Sequence, residues 1–121
     1  MTTAVTTPKI ELRSILRRPD RKLAALATFN LLIIELIATG AIDAEEATRI
    51  FYNADNCGYV RRLKNSAADE LMSRGVQLAD LFDVLPASQA KLELAKELRA
   101  MRRLCKRLQA ADKNRLSDRG A

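Results

Sequence analysis

The chain has 121 residues, enough for a single domain with a real core, and its 48% apolar and 30% charged residues are those of a globular protein. It has no histidine and only two cysteines, Cys57 and Cys105, with no CxxC pair. That removes Ser-His-Asp and Cys-His catalysis and histidine pH sensing, and leaves a zinc site short of ligands. The net charge of +6 is unevenly spread: residues 1–22 carry six positive and two negative charges, residues 23–60 one and five, and residues 91–121 ten and four.

Few β-branched or aromatic clusters and three prolines point to an all-α protein. We expect a compact bundle of about five helices around a central apolar helix, residues 21–39. Residues 1–7 are expected to be a disordered tail, 8–111 a single helical domain and 112–121 a flexible tail.

Thr7 and Pro8 read as an N-cap and first helical residue, opening a short helix that runs to about Arg18 with Ile10, Ile15 and Leu16 as its apolar contacts. Pro19 stops it and Asp20 is placed to cap the next helix.

That next helix is the centre of the fold. Residues 23–39, LAALATFNLLIIELIAT, are interrupted only by Asn30, Glu35 and two threonines. Such a helix is apolar around nearly its whole circumference and demands cover on several sides. Arg21 and Lys22 in its first turn oppose the macrodipole. The stretch is long enough to span a bilayer, with basic residues before it and acidic ones after it. Glu35 in mid-span and three further amphipathic helices argue for a soluble bundle instead, so no membrane is expected.

Thr39-Gly40 ends the central helix. Asp43 caps a third helix to about Asn53, with Ala47, Ile50 and Phe51 inward. Residues 53–58, NADNCG, read as a turn cluster, followed by a short piece YVRRLK. Asn53, Asp55, Cys57 and Gly58 fit early positions of a calcium loop, but its twelfth position holds Lys64 where a bidentate Glu is needed. A helix-turn-helix is the other motif available here, with Arg61, Arg62 and Lys64 approaching a nucleic acid. The expected turn is long and the second helix short for that motif.

Ser66 with Asp69 approximates a capping box for a fourth main helix reaching Leu85. Its stripe is Leu71, Gly75, Leu78, Phe82 and Leu85, with Gly75 marking a close helix crossing. A fifth helix covers about 88–111. Leu94, Leu98, Met101, Cys105 and Leu108 lie on it at spacings 4, 3, 4 and 3, a heptad seam that joins the bundle or a second copy of the chain. Opposite the seam, Arg99, Arg102, Arg103, Lys106 and Arg107 form a cationic face, either solvated or bound to an anionic partner.

Catalysis has little support. Glu35 is the lone carboxylate in an apolar run, with no assembled partner set. We therefore expect a non-enzymatic, cytoplasmic interaction or regulatory module with no cofactor. Its partner would be another protein or a second copy of this chain. The alternative is a small basic nucleic-acid-binding protein using the two basic ends.

Overall fold

The computed structural model describes residues 9–18 and 21–119, with side chains described through residue 111. Among these residues there are seven α-helices and no strand. They are α1 (Leu12–Ile15), α2 (Lys22–Ala38), α3 (Ala44–Ile50), α4 (Ala54–Arg61), α5 (Ser66–Gln77), α6 (Asp80–Val84) and α7 (Ala87–Arg119). The all-α bundle expected from the sequence is present, divided into more and shorter helices.

The buried positions of α2 are Leu23, Leu26, Ala27, Asn30, Ile33, Ile34 and Ile37, one broad stripe at helical spacing. α7 lies along this stripe as its main partner, and α3 touches α2 as well. The cover leaves one side open. Thr28, Leu32 and Glu35 face solvent, with Leu32 51% exposed. At its end Thr39 is the C-cap and Gly40 takes φ 79°, the left-handed conformation that suits glycine. Asp20 lies outside the described residues; Arg21 is the N-cap and supplies no side-chain hydrogen bond.

The first helix is shorter than expected. Thr7 and Pro8 lie outside the described residues, and only Leu12–Ile15 is helical. Leu12 and Leu16 are buried, whereas Ile15 is 44% exposed. The backbone here finds tertiary partners instead of helical ones. Ile10 N–H donates to the Ile50 carbonyl at 2.9 Å. Leu12 N–H donates to Asn56 Oδ1 at 3.0 Å, and Asn56 Nδ2 donates to the Ile10 carbonyl at 2.7 Å. Asn56, 3% exposed, thus pins the N-terminal segment to α4.

The expected turn cluster 53–58 is the start of α4. Asn53 Oδ1 accepts from Asn56 N–H at 3.0 Å, the N-cap bond that starts a new helix three residues after α3 ends. Asp43 does the same for α3, accepting from Glu46 N–H at 2.7 Å. Asn65, not Ser66, caps α5 by accepting from Ala68 N–H at 3.0 Å.

The helix expected to reach Leu85 breaks after Gln77. Leu81 N–H donates to Leu78 and Phe82 N–H to Ala79, both at 3.3 Å, so a tightened turn with i to i+3 bonds separates α5 from α6. Leu71, Gly75 and Leu78 stay buried, Leu85 is half-buried, and Phe82 is turned out to 44% exposure.

α7 runs 33 residues, roughly 50 Å, and its backbone stays helical to Arg119 instead of ending near 111. Leu98, Met101, Cys105 and Leu108 of the seam are buried against the bundle, joined by Ala90 and Leu104, while Leu94 is half-buried. Within the chain the seam packs on α2 and α5.

The buried polar side chains Asn30, Tyr52 and Asn56 are paired. Tyr52 Oη donates to Asn30 Oδ1 at 2.9 Å, and Asn30 Nδ2 donates to the Leu26 carbonyl at 2.9 Å. Phe51 meets Tyr52 edge to face, centroids 5.1 Å apart.

Candidate interaction surfaces

A cleft of about 950 Å³ opens where the C-terminal end of α2 meets the start of α3, α6 and the first half of α7. Ile37, Ile42, Ala79, Phe82, Leu94 and Leu98 supply its apolar lining. The helix break after Gln77 is what makes it. By turning Phe82 away from the buried stripe, α6 becomes a wall of the cleft instead of part of the core.

The charged residues of the cleft are sorted by element. Asp43, Glu45 and Asp83 come from the α3 and α6 side, and Lys91, Arg99 and Arg102 from α7. Arg102 reaches Glu35 of α2, Nη2 to Oε2 at 3.4 Å, with the two side chains 38% and 66% exposed. A pair this open contributes little to stability, roughly 0–1 kcal/mol. Its value is positional, since it marks the level at which α2 and α7 pass.

The residues expected to form one cationic face do not form one site. Arg99 and Arg102 line the cleft, whereas Arg103, Lys106 and Arg107 lie exposed further along α7. Among the described residues, Arg99, Arg103, Lys106 and Arg107 enter no ion pair. Leu94 and Leu98 belong both to the seam and to the cleft. The cleft as a whole has no sequence signal, because its lining combines three separate segments, residues 37–45, 79–83 and 91–102. Phe82, whose spacing places it on the buried stripe, stands exposed at the cleft wall instead.

The motifs weighed against these surfaces fare differently. Asn53 is spent as a helix cap, and among the described residues no group of three or more His, Cys, Asp or Glu side chains could hold a metal. The turn between α3 and α4 is three residues long, as a helix-turn-helix would need. α4, however, is packed against α1 and α5, and residues 56–60 are all buried or half-buried. Its exposed side chains are those of Ala54, Asp55, Arg61 and Arg62, a short face for a major groove and one that carries an acidic residue.

Both cysteines are free thiols. Burial pushes Cys105 up from its ordinary 9.0 to about 11, so it is a neutral core residue at physiological pH. Burial also raises Cys57, with Arg61 opposing the shift. No helix among the described residues is long and apolar enough to cross a membrane.

Comparison with known proteins finds no family model that matches this chain, and no matching curated protein or solved structure.

Proposed function

We propose that the protein is a non-enzymatic helical interaction module, and that the cleft between α2, α3, α6 and α7 seats an amphipathic helix of another protein. The observation that carries this reading is Phe82, a large aromatic 44% exposed at the wall of an apolar-lined cleft. An aromatic in that position is the kind of anchor that dominates binding energy at protein interfaces. A helix laid in a groove presents apolar anchors one and two turns apart, and a cleft this size accommodates such a row.

Charge decides the orientation. A fitting helix carries basic residues along the flank that meets Asp43, Glu45 and Asp83, and acidic residues along the flank that meets Lys91 and Arg99. Nothing in the lining resembles the convergent buried polar groups that fix a small molecule. Cytoplasmic location and a regulatory role belong to the same reading.

The test is a titration of synthetic amphipathic helices into isotopically labelled protein, followed by amide resonances. Helices with the stated flank order should shift the resonances of Leu94, Leu98 and Thr39. The same helices with the flanks exchanged should bind more weakly. Phe82→Glu should abolish the shifts without lowering the melting temperature, because Phe82 is not in the buried core. Equal binding of both flank orders, or shifts that survive Phe82→Glu, would overturn the reading. A chain whose own dilution moves the cleft resonances would assign the cleft to self-association instead.

A further inference from the structure

The basic residues near the N-terminus and those after Tyr59 are forty residues apart in sequence and come together in space. Tyr59 Oη of α4 donates to the Leu16 carbonyl at 3.3 Å, and Lys22 Nζ stands 5.8 Å from the centre of the Tyr59 ring. Those two contacts bring three elements to one place: the segment ending in Arg17 and Arg18, the start of α2, and the last turns of α4. Arg17, Arg18 and Arg21 are exposed there, as are Arg61 and Arg62 on α4. Arg17 is fixed by donating Nε–H to the Ser14 carbonyl at 2.9 Å. Among the described residues none of these five arginines, nor Lys22, enters an ion pair. The first turn of α2, which joins this surface, contains no acidic residue.

Six cations on one surface, with no ion pair among the described residues, repel one another, and a bound polyanion relieves that repulsion. We propose that this surface, formed by the N-terminal segment, the start of α2 and the end of α4, binds the phosphate backbone of double-stranded nucleic acid. Five of its six cations are arginines, whose planar guanidinium donates two parallel bonds to a phosphate. Base readout is not expected, since the other exposed residues of α4, Ala54 and Asp55, offer no donor to a base edge. A single strand fits less well. It needs aromatic platforms, and Tyr59 is half-buried, with its hydroxyl bonded to Leu16. A membrane surface also fits less well, because it needs apolar residues to insert. Leu12 and Leu16 point into the core and only Ile15 is left outside.

The surface is distinct from the free cations of α7. α7 packs on α2 and α5 through its seam, so Arg103 and Arg107 point outward from the opposite side of that helix.

The experiment is a fluorescence-anisotropy titration of a labelled random-sequence duplex with the full chain over a series of salt concentrations. The affinity should fall with salt on a log–log plot, with a slope near −0.9 for each phosphate neutralised. The variant Arg17→Gln/Arg18→Gln/Arg62→Gln should reduce the magnitude of that slope by about 2 to 3 and weaken low-salt binding at least tenfold. Arg103→Gln/Arg107→Gln should leave the slope unchanged, as should Phe82→Glu, which separates this surface from the cleft. All these side chains are exposed, so thermal melts should superimpose. No binding at low salt, the same slope in the triple variant, or loss of slope in the α7 variant would each overturn the proposal. So would tighter binding to phosphatidylserine vesicles than to the duplex.

Discussion

The ring of Tyr52 lies directly against the backbone of Gly75 in α5. A Cβ built on Gly75 would overlap the Tyr52 Cγ, Cδ1 and Cε1 atoms. These are ring atoms of a side chain 1% exposed, locked by its hydroxyl bond to Asn30, so they cannot swing aside. Gly75 therefore stands in the last turn of α5 for want of space, although glycine within a helix costs up to about 1 kcal/mol relative to alanine.

Gly75→Ala should accordingly destabilise the protein by at least 1–3 kcal/mol, the usual range for overpacking, in spite of the better helix propensity of alanine. The effect should be much smaller in a Tyr52→Ala background, where the added methyl has room. Urea denaturation of the four proteins of this double-mutant cycle measures the coupling. Equal costs of Gly75→Ala in both backgrounds would remove Tyr52 as the reason for the glycine.

The same kind of argument applies to Asn56, whose side chain makes three bonds to backbone groups, two of them buried. Beyond Leu12 and Ile10, Asn56 Nδ2 donates to the Phe51 carbonyl at 2.8 Å. Asn56→Ala leaves these groups without partners, at a cost of about 1–3 kcal/mol for each one that water cannot reach. The amide of Leu12 should lose its hydrogen-exchange protection first, before the amides of α2 and α7. Exchange of Leu12 at the wild-type rate in this variant would show that Asn56 does not hold the segment.

How much of this was legible in the sequence follows from what kind of contact each feature depends on. The apolar run from Leu23 to Ile37, the Asp43 cap and the Gly40 stop are local, and periodicity and capping chemistry reveal them. Leu98, Met101, Cys105 and Leu108 were legible as a seam for the same reason, but the helix on the other side of it was not. Asn53 was legible as a polar turn residue. That it begins a helix depends on Asn56 being called inward to bind Ile10 and Leu12, a contact across more than forty residues. Phe82 carried the right spacing for a core stripe, and only the tightened turn at Leu78 sent it outward. The cleft and the arginine cluster around Tyr59 combine several elements, and no local pattern marks such a site.

Leu98→Ala tests the intramolecular reading of the seam. Leu98 is 3% exposed, and its truncation should cost about 2–5 kcal/mol. Because its partners lie in the same chain, the melting temperature should not depend on protein concentration, before or after the substitution. A midpoint that rises with concentration in the wild type would mean that a second chain contributes to the seam.

Alkaline pH should expose the buried acids of the core. Burial raises Cys105 from 9.0 to about 11. Burial first, and the neighbouring Cys105 and Cys57 second, hold Tyr52 well above its ordinary 10.0. In both groups the folded state keeps a proton that the unfolded chain releases. Stability is therefore fully present below the unfolded values and falls as the pH rises through them. The Cys105 contribution should disappear between about pH 9 and about pH 11, at up to 1.4 kcal/mol for each pH unit. The loss from Tyr52 begins near pH 10 and adds to it. Other groups titrate in this range as well, so the comparison of variants carries the test. Cys105→Ala loses some packing at every pH, but its melting temperature should decline less steeply than that of the wild type between about pH 9 and about pH 11. Parallel declines in the two proteins would mean that the Cys105 thiol titrates alike in the folded and unfolded chains.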